Sequence, residues 1–142
     1  MDRNKAFWAW LSTCPAITDY ITFNAVEEMA GETGIQTVSN AAWVKQYIRG
    51  GGAQNIDFAV VQIKPHDMGT WDVNFLQFFD AASVMNWVKD QNRIRNFPDF
   101  GENMQVMRIE PLENMPNLAA VSEDGGTAKY MFQVRVRVSV KE

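Results

Sequence analysis

The chain has 142 residues, 46% of them hydrophobic, 21% charged and 12% aromatic, which is enough apolar material for one folded domain and far from the composition of a disordered chain. Thirteen basic against seventeen acidic residues leave a net charge of −4, which excludes a protein whose affinity comes from neutralising many phosphates. The single cysteine, Cys14, and the single histidine, His66, exclude an internal disulfide, a cysteine-rich zinc site and multi-histidine metal centres.

The first residues are charged, and the apolar stretch that follows is too short for a secretory h-region, so the N-terminus is expected to be part of the mature protein. No window approaches eighteen apolar residues, so no membrane span or membrane partner is expected, and synthesis in a reducing cytoplasm fits the cysteine usage. Phe7, Trp10, Leu11 and Cys14 recur at helical spacing, which predicts a helix within residues 1–15 that Pro15 ends. Strands are expected across residues 21–64. A first, over 21–29, and a second, over 35–38, are separated by Gly31 and Gly34, which predicts a hairpin. Residues 40–49 satisfy helical and strand patterns equally. Residues 58–64 are apolar on both faces and end at Pro65, as a central strand would.

A main helix is expected over residues 72–95, capped by Asp72, with Phe75, Phe78, Phe79, Ala82 and Met85 as its core stripe, flanked by Ala81 and Val88. Leu76 and Trp87 fall on a different side of that helix. Residues 96–103 read as a loop, 104–112 as a strand bounded by Pro111 and Pro116, and Gly125-Gly126 as a turn. In the last strand, 128–141, Tyr130, Phe132, Val134, Val136, Val138 and Val140 alternate with Lys129, Arg135, Arg137 and Lys141. The fold class is therefore α+β in a single domain, with a mostly antiparallel four- to five-stranded sheet and two helices packed on one face.

Candidate chemistry is sparse. Gly50-Gly51-Gly52 lacks the Lys-Ser/Thr pair of a phosphate loop and reads as a hairpin turn. His66 with Asp67 and Asp72 could seed a general base or a cation site, but an exposed loop after Pro65 is much the better explanation. The carboxylate pairs Glu27-Glu28 and Glu110 with Glu113 read as edge solubilisation, and Cys14 as a buried inert thiol. Trp8, Trp71 and Trp87 fit the core stripes poorly, as interface anchors do. The basic row of the last strand is either a solvated face or a docking face, and Arg135 and Arg137 are expected to tolerate Glu without loss of folding.

The order of features carries a resemblance. Trp43-Val44-Lys45-Gln46-Tyr47-Ile48-Arg49 runs into Gly50-Gly51-Gly52, then Phe58-Ala59-Val60-Val61, then an acidic loop from Asp67 to Asp72. Met85-Asn86-Trp87-Val88-Lys89-Asp90-Gln91, Phe97-Pro98-Asp99-Phe100 and Gly126-Thr127-Ala128-Lys129-Tyr130-Met131-Phe132 follow in register. Over roughly residues 23–140 the chain resembles the tail-terminator (tail-completion, minor capsid) proteins of long-tailed bacteriophages, with the triple glycine where a Gly-Ser-Gly-like turn would stand. The resemblance implies a strand at residues 43–49, no enzyme activity and no cofactor or metal. It also implies a virion protein made in the host bacterial cytoplasm that forms a ring, commonly hexameric, at the tail-neck junction. The ring would end the tail tube and join it to the head-neck connector, with DNA passing through it but no sequence-specific nucleic-acid recognition. Candidate contact residues on this reading are Gly50, Gly51, Gly52, Asp67, Trp71, Leu76, Trp87, Arg135 and Arg137. Another neck or head-completion protein, and more remotely a small-ligand-binding enzyme, are the alternatives.

Overall fold

The computed structural model describes residues 3–17, 21–23, 33–38, 43–46, 50–66, 71–122 and 125–141. Helix α1 (Arg3–Leu11) precedes strands β1 (Ile21–Phe23), β2 (Thr33–Thr37), β3 (Trp43–Gln46) and β4 (Gly52–Pro65). Helix α2 (Trp71–Ile94) and strands β5 (Met104–Pro111), β6 (Asn117–Val121) and β7 (Thr127–Val140) complete the chain.

The framework is the antiparallel ladder between β4 and β7, which runs without interruption from Gly52 opposite Val140 to Pro65 opposite Thr127. Because β7 fills one side of β4 along its whole length, β2 and β3 both lie on the other side, β2 beside residues 58–62 and β3 beside residues 52–54. In the same way β5 and β6 share the free side of β7, beside residues 134–140 and 128–131. Among the described residues seven strand segments, more than the four or five expected, thus make five ranks: β1, β2/β3, β4, β7 and β5/β6. The fold is α+β with mostly antiparallel pairing, as its pattern predicts. β6, short and exposed at every position, carries no alternation that would announce it.

One face of the sheet carries the main core. Phe58, Val60, Phe132, Val134, Val136 and Val138 form its floor, and both helices cover it. From α1, Phe7 stacks on Phe58 with ring centroids 4.1 Å apart, and Trp10 and Leu11 are buried beside it. Among the described side chains of α2 the buried ones are Ala81, Val84, Met85, Val88 and Gln91, one helical stripe at i, i+3, i+4, i+7 and i+10. This corrects the expected stripe: Phe79 is 63% exposed, and the small Ala81, packed with Ala128 and Tyr130, sits where the helix meets the sheet. α2 ends in a reversal with Arg95 at a positive φ of 59°, closed by Asn96 N–H to Gln91 O (2.9 Å) and Arg95 N–H to Asn92 O (3.2 Å). That is the double bond pattern with which helices commonly terminate, here without a glycine.

Three further expectations change. β1 and β2 are parallel, with Ile21 opposite Thr33, so no hairpin joins them. Gly34, read as part of a turn, is buried inside β2 opposite Val61, where the lack of a side chain serves packing and not reversal. β4 begins at Gly52 and not near Phe58, because pairing with β7 carries its polar first half, Gln54 and Asn55, into the sheet. Gly52 accordingly belongs to a strand, and of the three glycines Gly50 and Gly51 lie outside it, with φ values of 91° and 74° that suit glycine.

Candidate protein-contact surface

The expected contact residues do not converge on one site. Gly52 pairs with Val140 and Gln46, which places the glycine turn at the end of the β4–β7 ladder shared by Lys141. Asp67 lies outside the described residues, as do the side chains of Trp71 and Leu76, although the backbones of both belong to α2.

Trp87 is committed within the chain. Its ring lies 4.7 Å from that of Trp10, and it packs against the main core beside α1. The reason is the helix rotation: with Ala81, Met85 and Val88 facing the sheet, the flank bearing Trp87 meets α1, which pattern alone cannot place. α1 is itself anchored by two indoles, Trp10 Nε1–H donating to Asn96 O (2.9 Å) and Trp8 Nε1–H donating to Ile21 O (2.8 Å). Trp8, an apparent leftover aromatic, thereby occupies a backbone acceptor of β1 at the outer rank of the sheet.

The basic row is real in register but not uniform in role. Arg135 makes a bidentate ion pair with Asp57, its cross-strand neighbour on β4, with Nε to Oδ1 and Nη2 to Oδ2 both 3.0 Å. The Asp57 side chain is 2% exposed and that of Arg135 37%. Hydrogen bonding to Asp57 raises the guanidinium pKa above its ordinary value, aided by the charges of Asp57 and Glu110. Arg135 therefore neutralises a buried carboxylate, and the expectation that Glu would be tolerated there is corrected. Arg137 is exposed, flanked by Asn55 on β4 and Arg108 on β5. Arg108 turns to Glu110 at 2.8 Å, and Arg137 has no ion pair among the described residues.

Other polar groups are used structurally. The Lys64 ammonium, 10% exposed, pairs with Asp80 of α2. His66 Nδ1 lies 2.9 Å from Gly125 O and its N–H donates to Gly126 O, so this half-buried histidine fastens the end of β4 to the β6–β7 turn and is not an exposed loop residue. Glu113 accepts the Gln133 N–H at 2.9 Å while Leu112 N–H donates to Gln133 O, which bridges the gap between β5 and β6. The Cys14 thiol is buried, and burial raises its pKa above 9.0. Among the described residues, no three His, Cys, Asp or Glu side chains gather into a metal-binding group, and no helix is long and apolar enough to cross a membrane. A crevice of about 60 Å³ between β6, β7 and Ile63 is small beside ligand pockets of about 300–1,000 Å³.

The expected β5 strand is joined in its rank by β6, which was not expected, and the two share an apolar exposed surface. Met107, Leu112, Met115, Leu118 and Val121 are between 39% and 55% exposed, a concentration of large apolar side chains along one edge. Two bulges shape it: the register shifts between Val106 and Arg108, leaving Met107 as the extra residue, and between Leu118 and Ala120, leaving Ala119. α2 packs over β5, where Asn92 Oδ1 accepts the Ile109 N–H (3.0 Å). Toward β6 the main cover is replaced by a smaller cluster of Ala81, Ala128 and Tyr130 under Phe78. The legible signal was the charge-free run from Asn114 to Ser122. No known family model matches the chain, and no curated protein matches it.

Proposed function

We propose that the protein is a non-enzymatic virion component that assembles into a ring at the end of a phage tail tube and joins it to the head-neck connector. The observation that carries this reading is the apolar β5/β6 edge. A protein of net charge −4 that leaves five large apolar side chains half exposed along β5, β6 and the segment joining them retains about 1 kcal/mol of burial free energy for each, available to a protein partner. Unprotected edges of this kind are otherwise an aggregation liability. The α+β frame, with its long β4–β7 ladder and a glycine turn at one end, agrees with the resemblance from which the expectation came.

The test is to add the purified protein to polymerising tail tubes and measure tube length by electron microscopy. Uniform tubes bearing a terminal ring are expected. Tubes that grow as long with the protein as without it would refute the assignment.

A further inference from the structure

We propose that the sheet face turned away from both helices carries a second contact, centred on Arg137, that takes a carboxylate-bearing surface of a protein partner. It is distinct from the apolar β5/β6 edge and does not depend on what that edge binds.

The even-numbered residues of β7 from Ala128 to Val138 are buried on the helix side, so Arg135 and Arg137 point to the opposite face, and continued alternation adds Lys141. Along β7 only Arg137 is exposed, the other residues being buried or half-buried. It is also uncommitted. Arg135 is spent on the buried Asp57 and Arg108 on Glu110, whereas neither Arg137 nor the exposed Lys141 has an ion pair among the described residues. The register sets Arg137 directly opposite Arg108 on β5 and, on its other side, opposite the uncharged Asn55 on β4. Like charges directly opposed across a sheet repel each other, and here no carboxylate stands across from Arg137 to offset that.

Charge complementarity names the occupant. Arg108, Arg135, Arg137 and Lys141 share this face with two carboxylates, Asp57 and Glu110, so it is positive in a chain whose net charge is −4. A carboxylate arriving between Arg137 and Arg108 relieves their repulsion and accepts charge-assisted hydrogen bonds from the planar guanidinium fork of Arg137. Two features select protein carboxylates over the phosphates of a nucleic acid. Only Arg137 and Lys141 are unspent, and two phosphate contacts give little affinity at physiological salt. Glu110, its side chain 38% exposed beside Arg108, repels a continuous run of phosphates, whereas a single carboxylate needs only Arg137 and its neighbour.

The full-length protein is titrated into a fluorescent polyglutamate peptide and, separately, into a short DNA duplex, with anisotropy read at low and at physiological salt. The expected results are peptide binding that weakens with salt and a loss of about tenfold or more in Arg137→Glu. Arg137→Lys, which keeps the charge but not the fork, should lose less, and Arg93→Glu, at an exposed cation of α2, should lose nothing. Circular dichroism melts show that each variant is folded. Equal peptide binding by Arg137→Glu, tighter binding of the duplex than of the peptide, or no peptide binding at low salt would each overturn the proposal. So would sedimentation in which salt-sensitive self-association is lost in Arg137→Glu while the peptide does not bind, since the occupant would then be a second copy of this chain.

Discussion

Replacing Arg135 by glutamate separates a structural cation from a surface one. Its guanidinium holds both oxygens of Asp57 at 3.0 Å, the Asp57 side chain is 2% exposed, and Glu110 stands opposite Arg135 on β5. The substitution removes the guanidinium that neutralises a buried carboxylate and adds a like charge beside it. Breaking a buried pair by removing one partner costs about 3–5 kcal/mol, but Arg135 is more than a third exposed and water screens part of the loss, so about 2–3 kcal/mol is expected. For a chain of this length that lowers Tm by about 6–12 °C. Because the pair raises the Arg135 pKa, the guanidinium keeps its charge throughout the ordinary range and its contribution is lost only as pH rises through the folded value in strong alkali, so the assay belongs at neutral pH. Urea and thermal unfolding followed by circular dichroism supply the measurement, with Arg137→Glu as the exposed comparison, expected within about 0.5 kcal/mol of wild type. The combined Asp57→Leu/Arg135→Met variant, with no charge left to strand, should recover most of the loss. An Arg135→Glu protein as stable as Arg137→Glu would refute the reasoning.

Trp87→Ala should destabilise the monomer by about 2–4 kcal/mol, since its ring fills the junction with Trp10, and chemical denaturation will show this before any effect on assembly. Asp80→Asn leaves the nearly buried Lys64 ammonium without its carboxylate and should cost about 1–2 kcal/mol, discounted for the half-exposed position of Asp80; Lys64→Met in the same chain should restore urea stability. Cys14 and Tyr130 both have pKa values raised by burial, so the unfolded chain loses these protons first as pH rises. Stability should accordingly fall from about pH 9, with a further fall above pH 10 from Tyr130, and Cys14→Ala should flatten the first part of that profile in urea melts.

Wherever burial follows a local period, the sequence alone determined the structure. β7 alternates because one face lies on the core, and Phe7, Trp10 and Leu11 share a helix face that is buried as their spacing requires, with Cys14 buried just beyond the end of α1. The α+β class, the loop at 96–103 and the strand ending at Pro111 follow from the same local rules. Tertiary structure decided what depends on a partner distant in sequence. The parallel pairing of β1 and β2, the extension of β4 through Gln54 and Asn55, and the rotation of α2 that exposes Phe79 and directs Trp87 to Trp10 are set by neighbours, not by period. The basic row shows the division most clearly: alternation placed Arg135 and Arg137 on one face, but only the register with β4 sets Arg135 against a buried aspartate and Arg137 against Asn55. As a strand, β6 left no mark beyond its lack of charge, for the converse reason. A strand exposed on both faces has no buried side to impose alternation, so its residues carry no periodic mark, and its place in the sheet comes from backbone pairing with β7.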